Sequence, residues 1–428
     1  MSDNRICARC GHQAEDHSGF GTYKPCNHYG IFYDGYTNGV GGPLQAAVSA
    51  LPWTQAYQMA GPGFSLANPY GGQAPPFGTG TFVQPATILT VQAGMLPPYS
   101  QQWNFSIERV VAHDYLLDIR YVGNKGTHLP RFIEANPSVY GPGATAENTE
   151  QRRPYADCNA AGVCDYGSVG LIADDSSSTY HALQVAFSRQ FAHNLSFLAS
   201  YWFSKSLDYI SSLNVAGSAP TLVAGENDLA QNPFDLRAEH GPSLFDATQR
   251  FVFSGSYALP RWKNASRAAD LVVNGWQFNT IASLSTGTPF TVYDSANVSL
   301  QGSAPEISGF YSSRPDLIAN PNNGPHTPNQ WVSRSAFQQL NPVTQAGQFG
   351  NEGRNVVRGP GVEDVDVSLF KNFNIDERKR IQFRVECFNL LNHPNFGLPE
   401  NDLQSPAFGQ ILQAGPPRLL QLGLKFLF

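Results

Sequence analysis

The first 28 residues hold a dense group of side chains that could bind a metal ion. Thiolate and imidazole are the usual ligands of tetrahedral zinc, and Cys-x-x-Cys is a common ligand spacing in such sites. The candidate ligands are Cys7, Cys10, Cys26 and His28, with His17 as the alternative to His28. Because so short a segment has no other source of a stable fold, bound zinc would be what orders it.

A second pair of cysteines lies much further along the chain, in the segment DCNAAGVCDYG. Cys158 and Cys164 could close a small disulfide loop if this segment faces an oxidising compartment. Two free thiols are the alternative that the spacing leaves open. Cys387 stands alone and is interpreted as a packed apolar residue.

Catalytic chemistry has no support in the sequence. Glu363, Asp364 and Asp366 offer the hard oxygen ligands that calcium prefers, but no calcium-binding loop accompanies them. We interpret them as polar residues of a strand. The sequence contains no nucleophile elbow, zinc-protease motif, P-loop or dinucleotide-binding fingerprint. We therefore expect no enzyme activity, no catalytic residues and no cofactor other than the zinc considered above.

Composition excludes several other classes of protein. Lys and Arg number 27 against 33 Asp and Glu, so the basic excess of a nucleic-acid-binding protein is missing. Charged residues make up only 14% of the chain and aromatic residues 12%, with 40 Gly and 31 Pro. Few charges, many aromatics and many turn residues indicate an all-β protein and exclude a helical bundle. No apolar run reaches the roughly 18 residues of a transmembrane helix.

Alternation of apolar and polar residues returns repeatedly from about residue 99 to the end of the chain. It is clear in residues 103–109, 117–121, 181–187, 195–203, 276–284 and 381–385, and again in 420–428. This alternation predicts about nine to eleven strands, the longer of which have the length needed for a tilted crossing of a bilayer. A soluble β-sandwich or propeller is the alternative, because its strands also alternate.

The links between these strands favour the membrane interpretation. Short links at 113–114 and 192–194 alternate with long ones at 124–179 and 206–248. Short turns at one end and long loops at the other are typical of outer-membrane barrels.

Several phrases carry a resemblance to a known family. They include QQWNFSIERVVAHDYLLDIRYVGNKGTHL (101–129) and GRNVVRGPGVEDVDVSLFKNFNI (353–375). Others lie at 180–208, 232–260, 274–292, 380–396 and 420–428. In this order they resemble the C-terminal part of Oar-like TonB-dependent outer-membrane receptors, the Acidobacteria type that carries a carboxypeptidase-regulatory-like domain.

The resemblance implies a partial transmembrane antiparallel β-barrel, with about half of a probable 22 strands, and long extracellular loops. It implies the cell outer membrane as the location, with membrane lipid and the barrel-assembly machinery as partners. That machinery would recognise the terminal strand through its C-terminal signal, which comprises Leu420, Leu422, Leu424, Phe426 and Phe428. The TonB system would act through a plug that this chain lacks, and no nucleic acid is expected as a partner.

The resemblance also predicts how the chain is divided into segments. We expect a Cys/His-rich segment at 1–28, which binds zinc or is of spurious origin. A Gly/Pro-rich partial strand and loop region follows at 29–98, and the receptor barrel occupies 99–428. Since the plug and half of the strands are missing from this pattern, we expect a truncated, split or mis-started gene whose product is inactive alone.

Three functions follow as hypotheses. The leading one is the C-terminal half of a receptor that imports a bulky nutrient of carbohydrate, siderophore or peptide class. Its unknown extracellular ligand would contact the loops 124–179, 206–248 and 294–362, with aromatics such as Tyr166, Phe310, Tyr311 and Trp331 as candidates. The second is a non-transporting surface or adhesion barrel, and the third is a soluble zinc-containing binding protein.

The zinc hypothesis makes a prediction for the isolated N-terminal segment. A peptide of residues 1–28 titrated with Co²⁺ is expected to develop the thiolate-to-metal charge-transfer absorption of tetrahedral cysteine ligation. The same peptide with Cys10 replaced by Ser is expected to bind more weakly. A peptide that shows no such band would refute the hypothesis.

Overall fold

A computed structural model describes residues 6–10, 23–34, 84–112, 114–211, 230–263, 266–301, 313–374 and 379–427. The strands are β1 Ile6–Cys10, β2 Tyr23–Tyr33, β3 Ala86–Val91, β4 Tyr99–Ala112, β5 Tyr115–Glu134, β6 Tyr166–Ala192, β7 Leu195–Asp208, β8 Gly241–Pro242, β9 Gln249–Ala258, β10 Trp276–Ser285, β11 Pro289–Phe290, β12 Asp316–Leu317, β13 Phe337–Gln338, β14 Val357–Arg358, β15 Val362–Asn374, β16 Arg380–Phe388 and β17 Leu419–Leu427. One α-helix, α1, spans Arg267–Val273, and short 3₁₀ turns lie at Glu150–Arg152, Leu236–Glu239 and Arg334–Ala336. Within these ranges there is no helix whose length and apolarity would let it cross a membrane.

Eleven of the strands form one continuous antiparallel sheet. Their order is β1-β2-β4-β5-β6-β7-β9-β10-β15-β16-β17, so each strand lies beside its neighbour in the chain apart from short loop strands. In the described residues β1 and β17 each have a partner on one side only, and the sheet stays open. The prediction of an all-β, antiparallel sheet is confirmed, including the hairpins β4–β5 and β6–β7.

One face of this sheet is apolar and exposed. Phe278 of β10 lies opposite Leu369 of β15, Leu369 lies opposite Val385 of β16, and Val385 lies opposite Leu422 of β17. Leu422 is 69% exposed. Its neighbours on the same face of β17 are also exposed, namely Leu420, Leu424 and Phe426. Large apolar side chains left open along a whole sheet face require an apolar surrounding.

The other face is polar and is held together by side-chain hydrogen bonds. Asn279 of β10 donates to the Ser368 hydroxyl of β15 at 3.3 Å. Gln277 donates to the Ser256 hydroxyl of β9 at 2.8 Å and to the Asn279 carbonyl oxygen at 2.8 Å. On β16, Gln382 donates to Asn372 of β15 at 2.8 Å. Because successive side chains of a strand alternate in direction, the sequence alternation produces these two faces.

The links also separate by length. The short ones, at residues 193–194, 259–275 and 375–379 among others, all lie at one end of the sheet. The long ones lie at the opposite end and comprise 34–98, 135–165, 209–248, 286–361 and 389–418. The tight turn of β6–β7 uses His193 (φ 48°) and Asn194 (φ 65°), and positive φ at both positions suits the twist of a two-residue hairpin.

The predicted loop at 124–179 is wrong at both of its ends. β5 continues to Glu134 and β6 begins at Tyr166, so the hairpin extends well beyond its expected end. Arg131 and Asp175 are joined across it by two charge-assisted hydrogen bonds of 2.8 and 2.9 Å. β3 pairs in parallel with β6 along this extension and adds a third strand to it. The predicted domain division stays a prediction, and β2 runs across its first boundary at residue 28.

Replacing Leu369 with Lys tests the environment of the apolar face. This residue lies in the middle of β15, where an ammonium group facing lipid is expected to cost roughly 2–4 kcal/mol of unfolding free energy. The neighbouring Ser368→Lys variant is the matched control, because its side chain joins the polar face and stays hydrated. Urea unfolding of both variants in lipid vesicles checks this. Equal losses in the two variants would contradict the assignment of the faces.

Candidate functional site

Described parts of two long links pack together at their end of the sheet. Phe290 and Val292 from the β10–β15 link contact a cluster that also includes Val332, Ala336, Phe337, Val357, Leu403 and Phe408. Leu403 and Phe408 belong to the β16–β17 link, so two long links share one hydrophobic core. We call residues 230–247, 286–301, 313–361 and 395–412 the loop assembly.

Buried arginines attach the loop assembly to the ends of the strands. Arg354 donates from Nε to the Glu239 carbonyl oxygen at 2.8 Å and from Nη2 to the Asp208 carbonyl oxygen at 2.9 Å. It also forms an ion pair with the Asp208 carboxylate at the end of β7. Both side chains are buried, and a buried pair of charges needs such additional hydrogen bonds to offset its lost hydration.

Three further ion pairs continue this attachment. Arg314 Nη2 lies 2.7 Å from Glu239 Oε1, and both side chains are buried. Asp246 accepts from Arg358 at 2.5 Å and from Lys205 of β7 at 3.2 Å. The ion pairs of Asp208 and Lys205 therefore fix the loop assembly to β7, and the other two join segments of the assembly to each other.

Glu352 is a buried acid within the loop assembly. Its Oε1 accepts a hydrogen bond from the Val292 backbone at 3.1 Å, while Oε2 has no hydrogen-bond partner among the described residues. Burial raises the pKa of the Glu352 carboxyl from 4.5 to about 8, against the smaller opposing effects of the Val292 hydrogen bond and the Arg314 charge. A neutral, protonated Glu352 is therefore compatible with this environment near neutral pH.

A pocket of about 230 Å³ lies where the polar face of the sheet meets the loop assembly. Tyr180 of β6, Trp202 of β7 and Arg250 of β9 line it from the sheet. Phe245 and Asp246 line it from the link that precedes β9. Aromatic rings beside a guanidinium give a surface that can stack against a flat or sugar-like group and hydrogen-bond to its oxygens.

The comparison with known families decides where this molecule resides. The family described as outer membrane beta barrel domain matches residues 28–421, which is nearly the whole chain. The chain belongs to the outer-membrane β-barrel domain family. It is an outer-membrane protein, so the apolar face of its sheet meets lipid and the polar face lines the barrel interior.

Solved structures of outer-membrane proteins resemble this barrel chain only distantly. The outer membrane transporter YddB from Escherichia coli is 10% identical with a TM-score of 0.47, over 95% of this chain and 38% of that one. The FrpB iron transporter from Neisseria meningitidis is 10% identical with a TM-score of 0.40, over 96% and 37%. The ferripyoverdine receptor of Pseudomonas aeruginosa is 10% identical with a TM-score of 0.40, over 95% and 31%. The barrel chain thus spans between 31% and 38% of their length, and no curated protein sequence matches it.

The predicted disulfide lies in the link between β5 and β6. Cys158 and Cys164 are bonded to each other and also form an isolated β-bridge. Cys387 of β16 is a free, buried thiol on the apolar face, in the position expected of a packed residue.

The predicted metal ligands lie at the outer edge of the barrel sheet. The backbone of β1 and β2 pairs Cys10 with Cys26 and Cys7 with Tyr29, while His28 pairs with Ala8. Cys7 and Cys10 are an odd number of residues apart, which places them on opposite faces of a regular strand. His17 and the side chains of the three cysteines lie outside the described residues. Within the described part no group of His, Cys, Asp and Glu is placed to hold a metal ion, and the zinc site stays a prediction.

Other sequence candidates have structural roles in the barrel. Asp364 and Asp366 share the polar face of β15, and Asp366 accepts a hydrogen bond from the Asn389 backbone at 2.9 Å. Trp331 packs against the core of the loop assembly and donates from Nε1 to the Arg358 carbonyl oxygen at 2.8 Å. Tyr166 is exposed at the start of β6, whereas Phe310 and Tyr311 lie outside the described residues, as does Phe428 of the C-terminal signal.

The sequence analysis did not identify the residues that line the pocket or the arginines that hold the loop assembly beside it. Trp202 and Arg250 lie within ordinary strand alternation, so nothing in the local pattern separates them from other interior-facing residues. Arg354 and Arg358 lie in the phrase GRNVVRGPG, where two arginines among glycines in an otherwise weakly charged chain were an available signal.

Replacing Glu352 with Gln is expected to remove a pH dependence from the loop assembly. The folded state holds the Glu352 proton more tightly than the unfolded chain does, because its pKa is about 8 rather than 4.5. The stability that this proton contributes is complete below pH 4.5 and is lost as the pH rises through about 8. At roughly 1.4 kcal/mol per unit of pKa, the loss amounts to a few kcal/mol.

Hydrogen–deuterium exchange of residues 289–292, corrected for intrinsic exchange rates, measures this effect. The wild type is expected to lose protection between about pH 5 and pH 9, and the Gln variant to keep it. Glu400→Gln, in the same loop assembly, is the control and is expected to keep the wild-type pH dependence. Equal behaviour of the wild type and the Glu352→Gln variant would contradict the prediction.

Proposed function

We propose that this chain forms the C-terminal half of an Oar-like TonB-dependent receptor, which imports a bulky nutrient across the outer membrane. The observation that carries the proposal is the open sheet of eleven strands whose edges, β1 and β17, lack a second partner among the described residues. Hydrocarbon cannot satisfy an open strand edge, so further strands must complete the barrel. A plugged transporter barrel of 22 strands would need about as many again.

The sequence phrases that resemble Oar-like receptors support the same proposal. They coincide with strands of the sheet, from 101–129 in β4 and β5 to 420–427 in β17. In the intact receptor, the TonB system would act through a plug and the barrel-assembly machinery would recognise the terminal strand. We infer that this chain has no catalytic role.

The pocket beneath the loop assembly is the proposed site of ligand contact. Trp202 and Tyr180 offer aromatic faces on the interior side, and Arg250 offers a guanidinium beside them. Such a surface suits a nutrient with ring systems and oxygen atoms, within the carbohydrate, siderophore and peptide classes. The links around it are long enough to enclose a bulky molecule.

Uptake by the bacterium that encodes the chain tests the proposal. Deleting the whole locus is expected to abolish energy-dependent uptake of at least one nutrient in a panel of carbohydrates, ferric siderophores and peptides. Removing the TonB-equivalent protein is expected to have the same effect. Trp202→Ala is expected to weaken that uptake at least tenfold, which corresponds to losing about 1.4 kcal/mol of binding free energy. Trp331→Phe is the control, because it leaves the pocket lining intact.

The opposite result would favour a non-transporting barrel. Unchanged uptake of the whole panel, together with reduced surface adhesion of the deletion strain, would refute the transporter proposal and support the adhesion alternative.

A further inference from the structure

The link between β9 and β10 turns toward the outside of the barrel. Trp276 and Lys371 pair with each other in the register of β10 and β15, on the same face as Phe278 and Leu369. Trp276 donates from Nε1 to the Val272 carbonyl oxygen of helix α1 at 2.8 Å. Because Trp276 belongs to the lipid-facing side of the sheet, α1 lies against that side and not inside the barrel.

Lys371 fixes the helix in this position. Its ammonium donates to the Val272 carbonyl oxygen at 3.2 Å and to the Asn274 carbonyl oxygen. The ammonium also lies 5.2 Å from the ring centres of both Trp276 and Phe373. A lysine on a lipid-facing strand is costly unless it is covered, and here it is only 3% exposed because the end of α1 covers it.

The outer surface of this link is apolar. Val272 of α1 is 68% exposed, and Trp262 in the segment that precedes α1 is 65% exposed. Leu259, Leu271 and Val273 add to the same exposed apolar surface. These side chains continue the lipid-facing surface of the sheet beyond the ends of β9 and β10.

Hydrogen bonds hold the link in one shape. Asn274 accepts from the Trp262 backbone at 2.7 Å and donates to the Trp262 carbonyl oxygen at 3.1 Å. Arg261 and Asp270 form an ion pair at 3.1 Å. The exposed apolar side chains are therefore presented by a braced segment.

We propose that residues 259–263 and 266–275 form an interfacial anchor that lies in the phospholipid leaflet at the short-link end of the barrel. The occupant of its apolar surface is phospholipid, because that surface is continuous with the lipid-facing side of the sheet. An amphipathic segment of this kind places its apolar side chains at the boundary of headgroups and acyl chains. Exposed Arg261 and Lys263 then lie at the level of the lipid phosphates, and Trp262 has the position that tryptophan prefers at interfaces.

Quenching of Trp262 fluorescence tests the anchor. The protein purified from outer membranes is placed in phosphatidylcholine vesicles, with and without bromine atoms on the upper part of the acyl chains. Subtracting the emission of Trp262→Phe from that of the wild type isolates the Trp262 contribution. We expect brominated lipid to quench this contribution at least about twofold and aqueous acrylamide to quench it little, as for an interfacial side chain.

Two controls define the outcome. The contribution of Trp331, obtained in the same way from Trp331→Phe, comes from the loop assembly and is expected to be insensitive to brominated lipid. In a Lys371→Met variant, which loses the hydrogen bonds to the Val272 and Asn274 carbonyl oxygens, the Trp262 contribution is expected to become more accessible to acrylamide. A wild-type Trp262 contribution that acrylamide quenches and brominated lipid does not would overturn the proposal. This result would leave the proposed transport function untouched.

Discussion

Peptide groups cannot hydrogen-bond to hydrocarbon, and this constraint governs the arrangement of the whole chain. Every backbone donor and acceptor within the bilayer must find a partner in a neighbouring strand. The result is a sheet in which successive long strands of the chain are adjacent in space, whereas β3, β8 and β11–β14 lie outside this order. The lipid hydrocarbon also reverses the usual pattern of burial. The apolar residues Leu369 and Leu422 face outward, while Ser368 and Asn279 face the interior.

Since lipid supplies the apolar surrounding of the strands, the hydrophobic core lies elsewhere. It is found in the loop assembly, outside the bilayer, where Phe290, Val292 and Leu403 are buried against one another as in a soluble domain. Buried charges such as Arg354 join this small core to the strand ends. The loop assembly and the strands thus follow two different rules of burial in one chain, and the pocket lies at the boundary between them.

Short-range patterns predicted the sheet better than the loops. The hairpins β4–β5 and β6–β7 follow from alternation and turn residues that lie close together in sequence. The extension of β6 was missed because the run ADDSSST has no apolar alternation, and Arg131 holds it through Asp175. The packing of Phe290 against Leu403 joins residues more than a hundred positions apart, and no local signal predicts such a contact.

We propose that the sheet is part of a wider barrel. The native mass of the protein extracted from outer membranes, with a peptide map of everything in the particle, tests this proposal. We expect a mass well above that of this chain alone, with additional peptides of alternating strand character. These would be covalently continuous with the chain or come from a bound partner. A membrane-embedded particle that contains this chain alone, with β1 and β17 paired to each other, would contradict it.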